Sequence, residues 1–198
     1  MVSQQFDTPC VEEKETDVIV SEDEIGIGIP QIPFDLFVKK TRKSIRFTDA
    51  FQNLVYQSTA SQHQHHGNRR HVLHDVSGNT LLSLFRSHDG SWKGLKGDGL
   101  REELLFKVER TLNTFSKAEF NVILTGDSTF TMRGCCFWRT CTIYKEDKSL
   151  VAQTNLMYTL GFRKHFVSRS KFRVTIFPGF ADYTLVAGLI LVLFEGRK

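Results

Sequence analysis

The sequence predicts a mainly β protein, a closed antiparallel β-barrel enclosing a hydrophobic C-terminal helix. Three observations carry that prediction. Thr184–Phe194 runs without a charge, and a helix apolar on every side must be enclosed by protein or by lipid. The run falls short of the roughly 20 residues that span a bilayer, so no transmembrane span is expected and protein is the expected wall. Upstream, from about Phe34, short strand-like runs alternate with turn signals, the pattern of a sandwich or barrel rather than of βαβ units. A barrel removes free sheet edges and supplies the lumen that such a helix needs.

The elements follow in order. Asp35–Val38 opens the series. Ser44–Thr48 and Leu54–Gln57 form a hairpin around Asp49-Ala50-Phe51-Gln52-Asn53. Ser58–Asn68 is polar and His-rich and reads as a loop. Arg70–His74 and Thr80–Arg86 flank Asp75-Val76-Ser77-Gly78-Asn79, a turn whose Gly and Asn permit positive φ. Gly90, Gly94, Gly97 and Gly99 break up the next stretch. Leu104, Phe106 and Val108 alternate with less apolar residues. Glu119–Thr125 pairs with Thr129–Gly134, and Arg139–Tyr144 with Ser149–Thr154 across Lys145-Glu146-Asp147-Lys148. Met157–Gly161 reads as a further strand, and Phe172–Ile176 ends the series. Pro178 and Gly179 stop that strand, and Asp182 is placed to cap the helix.

The chain is 198 residues long and 40% hydrophobic, enough for one domain with a sizeable core. Its net charge of +4 conceals an asymmetry. Residues 1–35 hold nine acidic side chains and one basic, Lys14, for a net −8; the rest holds 25 basic and 13 acidic, for +12. The expected organisation is an acidic, disordered tail over 1–29 and a basic barrel domain over 30–198. Such a domain attracts polyanions, although charge bias is also what a solvated surface carries. There is no secretory signal, myristoylation start or prenylation box, and Cys10, Cys135, Cys136 and Cys141 show no C-x-x-C spacing. An intracellular, reduced protein, cytoplasmic or nuclear, is expected.

Several segments occur in a telling order: Asp35-Leu36-Phe37-Val38-Lys39-Lys40, Asn53-Leu54-Val55-Tyr56, Val72–Asn79, Lys96-Gly97-Asp98, Leu105-Phe106-Lys107-Val108, Cys141-Thr142-Ile143-Tyr144, Val151-Ala152-Gln153 and Tyr183–Glu195. In that order they resemble the LURP-one-related proteins of plants, whose domain is similar to the tubby carboxy-terminal domain. The likeness covers about residues 30–196. It implies about twelve antiparallel strands closed around the last helix, kinship with phospholipid scramblases and membrane-tethered transcription regulators, and a setting in plant defence. In tubby-like domains a basic pocket on the barrel holds a phosphoinositide head group.

No catalytic set is present: the chain lacks G-x-S-x-G, H-E-x-x-H, P-loop and Rossmann patterns, and a non-enzyme needing no cofactor is expected. The cysteines lack zinc spacing, and Cys141 alternates as a core residue. His63, His65, His66, His71 and His74 form the densest imidazole cluster, read as a chance run on a polar loop rather than as a metal site. Cations crowd three stretches: Lys39, Lys40, Arg42, Lys43 and Arg46; Arg69 and Arg70; and Arg163, Lys164, Arg169, Lys171 and Arg173. Phosphate binding needs convergent cationic donors. Lys39, Lys40, Arg42, Lys43, Arg163 and Lys164 are therefore the candidate anion site, for phospholipid head groups or acidic proteins. A membrane-anchored scramblase-like protein and a nucleic-acid-binding regulator are the alternatives; the second lacks a recognition motif. A monomer is expected.

Overall fold

The structure, a computed structural model, describes residues 32–41, 44–62, 69–97, 103–114, 117–126, 128–135, 140–157, 170–179 and 182–195. The acidic stretch over 1–29 lies outside them. Twelve strands are described: β1 (Phe34–Lys40), β2 (Ser44–Thr48), β3 (Leu54–Gln62), β4 (Arg69–His74), β5 (Thr80–Arg86), β6 (Trp92–Lys96), β7 (Leu104–Asn113), β8 (Ala118–Leu124), β9 (Thr129–Cys135), β10 (Thr140–Lys145), β11 (Leu150–Leu156) and β12 (Lys171–Ile176). Each is antiparallel to its sequence neighbours, and β1 pairs with β12 to close the barrel. The helix α1 (Tyr183–Glu195) follows β12.

Period-2 alternation fills the lumen. Leu36 and Val38 of β1, Ile45 and Phe47 of β2, and Phe172 and Val174 of β12 are buried, while Lys39, Arg46, Lys171 and Arg173 between them are exposed. Leu185–Phe194 is buried along its whole length, and its side chains join the core cluster of the strands. The apolar helix is therefore walled by the sheet, and no described helix is long and apolar enough to cross a membrane. The Asp182 carboxylate accepts a hydrogen bond from the Leu185 N–H at 2.8 Å, satisfying one of the unpaired donors at the start of the helix.

Three local expectations change. The polar segment from Ser58 does not begin as a loop, because β3 continues through Gln62, with Ser58 opposite Leu73 and Gln62 opposite Arg69. The backbone ladder outweighs side-chain polarity there, and Ser58 is small enough to face inward at 2% exposure. The glycine-rich stretch contains β6, whose Gly94 lies opposite Phe106. A Cβ at Gly94 would come within 2.5 Å of the Phe106 ring, so this glycine makes room for an aromatic side chain instead of ending a strand. The ladder of β11 stops at Leu156, leaving Met157 outside any strand; residues 158–161 lie outside those described.

A candidate anion-binding groove on the outer wall

Register, more than sequence proximity, assembles the site. Lys39 of β1 lies opposite Arg46 of β2 on one side and Lys171 of β12 on the other. Neighbouring strands are about 4.8 Å apart, so the three residues form a row about 10 Å wide on the outer surface. Their side chains line a groove of about 460 Å³ with Phe37, Thr48, Asp49, Ala50, Gln52 and Met157. Among the described residues, none of the three cations has a carboxylate within ion-pair distance. Arg173, next on the same face of β12, differs: it lies 3.7 Å from Asp35, which also accepts the Thr175 hydroxyl at 2.6 Å.

The β2–β3 turn closes one end of the groove. Asp49 accepts hydrogen bonds from the Phe51 and Asn53 N–H groups, both at 2.8 Å, and from the Asn53 side-chain amide at 2.9 Å. The Asn53 side-chain bond, the largest influence, holds the Asp49 carboxyl below its ordinary value of 3.8; burial opposes it, and the backbone N–H bonds from Asn53 and Phe51 add to it. The charge at this end of the groove is thus already committed to the turn. Gln52 takes φ 68° there, a left-handed conformation that glycine adopts at no steric cost. This arrangement can hold a phosphate-rich or carboxylate-rich group through charge-assisted hydrogen bonds, with Arg46 able to offer a bidentate fork.

Of the candidate residues from sequence, Lys39 lies in the groove. Lys40 faces the other side of β1: its ammonium donates to Glu195 Oε1 at 2.6 Å and to the Phe194 carbonyl at 3.4 Å, where the helix leaves the lumen. That cation holds the negative end of the helix. Arg42, Lys43, Arg163 and Lys164 lie outside the described residues. Arg46 and Lys171 were visible as members of basic clusters, but only the pairing of β1 with both neighbours selects them. His71 is buried, with its Nε2 3.8 Å from Glu195 and its ring 6.0 Å from that of Trp92. His63, His65 and His66 lie outside the described residues, and no metal-binding group occurs among those described. Cys135 and Cys141 are buried.

The model of the LURP-one-related family matches residues 34–194. The chain belongs to this family. Protein LURP-one-related 7 of Arabidopsis thaliana is 39% identical over 174 residues, covering 84% of this chain and 91% of the relative. The X-ray structure of an Arabidopsis thaliana protein matches this fold with a TM-score of 0.64 at 23% identity, over 85% of this chain and 93% of the other. The closed barrel around a C-terminal helix is thus an experimentally observed architecture, and the groove described above lies on the outer wall of a LURP-one-related barrel.

Proposed function

We propose that this protein is a non-catalytic binding module, acting in plant defence or signalling, whose outer groove takes a polyanionic group such as a phosphoinositide head group. One observation carries the reading: Lys39, Arg46 and Lys171 stand side by side on three paired strands, line one groove and have no carboxylate partner among the described residues. Three aligned cations with no carboxylate at ion-pair distance among the described residues repel one another, and a phosphate-rich ligand relieves that repulsion while supplying acceptors. The groove extends about 10 Å across the strands, which suits a ligand with more than one anionic group.

The test is calorimetric titration of the full chain with inositol trisphosphate at increasing salt. Binding should weaken steadily as salt rises. Each of Lys39→Ala, Arg46→Ala and Lys171→Ala should weaken it about tenfold, the effect of losing one hydrogen bond between charged groups. Lys40→Met should leave it within about twofold, since that ammonium is on Glu195. Equal affinity in the wild type and the triple variant would refute the groove as the site.

A further inference from the structure

The most exposed large apolar side chains of the described residues are not scattered. Phe51 is 86% exposed, Ile32 84% and Val76 65%. In a barrel of consecutive antiparallel strands, alternate connections fall at the same end. The start of β1, the β2–β3 turn and the β4–β5 turn therefore share the end at which α1 enters. Ile32 precedes β1, Phe51 tips the first turn and Val76 tips the second, so all three stand on one arc of one rim. Tyr183, the first helical residue, adds a partly exposed ring at that rim, stacked on Phe34 with centroids 4.8 Å apart.

Both tips are held firmly. Asp75 repeats the arrangement of Asp49, accepting the Asn79 N–H at 2.8 Å and the Asn79 side-chain amide at 2.9 Å. Each turn thus directs its carboxylate to its own donors and leaves an apolar residue outward. The Phe51 turn is also the end wall of the groove, through Ala50 and Gln52. The groove is therefore cationic at Lys39, Arg46 and Lys171, and the exposed Phe51 is carried on the turn that forms its end wall. Arg46 and Asp49 are three steps apart along the chain, about 10 Å at strand rise.

We infer that this rim is a bilayer-docking surface. Phe51 and Val76 enter the interfacial layer while the groove receives the phosphorylated head group of a lipid in the same leaflet. The inference rests on the groove being an anion site, and it names the source of that anion as lipid rather than a soluble phosphate. The polar layer of one leaflet is about 5–8 Å deep. A tip at its inner boundary would set the cation row, about 10 Å behind it, just beyond its outer edge, where extra phosphates on a head group stand. Aromatic and aliphatic side chains at such a depth add apolar burial to charge attraction. Selectivity at this rim falls to the row of Lys39, Arg46 and Lys171, which a phosphorylated head group engages with more acceptors than a single carboxylate offers.

The experiment uses full-length protein and two kinds of phosphatidylcholine vesicle, one containing a phosphatidylinositol bisphosphate and one containing phosphatidylserine at equal total charge. The emission of Phe51→Trp, over the wild-type background of Trp92 and Trp138, should shift to the blue and be quenched by brominated acyl chains only with the first. Phe51→Ser and Val76→Ser together should weaken vesicle binding about tenfold, and Val76→Ser alone, outside the groove lining, should leave inositol trisphosphate binding within twofold. If inositol trisphosphate binds but the reporter at position 51 stays in water and the double serine variant binds vesicles normally, the docking surface is wrong and the groove stands. If inositol trisphosphate does not bind, both readings fall. Equal binding to the phosphatidylserine vesicles would overturn the head-group requirement and, with it, this proposal.

Discussion

Gly188→Ala is a direct probe of the threaded helix. In a water-facing helix this change is favourable by about 1 kcal/mol, because alanine is the better helix former. Here a Cβ at Gly188 would fall closer than 3.0 Å to Leu82 Cδ2 on β5 and 3.5 Å from Phe106 Cζ on β7. Both neighbours are 0% exposed, so neither can rotate into solvent. Overfilling a packed interior costs about 1–3 kcal/mol. The balance is a loss of about 0–2 kcal/mol, and each kcal/mol is worth about 2–4 °C in a domain of this size. Leu82→Ala alone should cost about 2–5 kcal/mol. In that background Gly188→Ala places its methyl in the space vacated and recovers helix propensity, so it should stabilise by about 1 kcal/mol. Urea unfolding of the two single variants and the double variant measures the reversal. A Gly188→Ala change that stabilises the wild type, or that has the same effect in both backgrounds, would refute packing of the helix against β5.

Three further outcomes follow from the same geometry. Gln52→Gly should raise the melting temperature by up to about 2–4 °C: an L-residue in the left-handed region costs about 1–2 kcal/mol, offset in part by the greater freedom of glycine in the unfolded chain. Side-chain hydrogen bonds from Asn53, Asn79, Ser91 and Ser149 are the leading causes that lower the carboxyls of Asp49, Asp75, Asp89 and Asp147 from 3.8. The native state then binds fewer protons than the unfolded one at mildly acid pH, so this stability is present above 3.8 and is lost as pH falls through the lowered native values. Thermal melts should decline below that point, and Asp75→Asn should make the decline shallower. A double-mutant cycle of Lys40→Met and Glu195→Gln should give a coupling of about 1–2 kcal/mol, between the values for exposed and buried pairs, since the two side chains are 23% and 17% exposed.

The fold was legible because its signals are strong and local. Thr184–Phe194 has no polar face, and Asp75–Asn79 and Lys145–Lys148 mark hairpins by turn chemistry alone. β6 was not legible, because Gly94 looks like a breaker until Phe106 is seen to occupy the place of its side chain. The start of the Ser58 segment was misread because its pairing with β4 is a long-range fact that its polar residues do not announce. The site was half legible. Clusters of Lys and Arg can be counted, and alternation separates Lys39 from Lys40 as soon as β1 is recognised. The grouping of Lys39 with Arg46 and with Lys171, which is 132 residues away in the chain, depends on barrel closure between β1 and β12. No local pattern encodes that closure. Charge density in the sequence pointed to residues in two stretches, 39–43 and 163–164, whereas the fold groups residues across three strands.

Amide chemical-shift mapping with inositol trisphosphate tests the functional reading most directly. Shifts concentrated at Lys39, Arg46, Lys171 and the Asp49–Gln52 turn, saturating at a single affinity, are the predicted result. Shifts spread thinly over every basic residue, or centred on the opposite wall of the barrel, would contradict it.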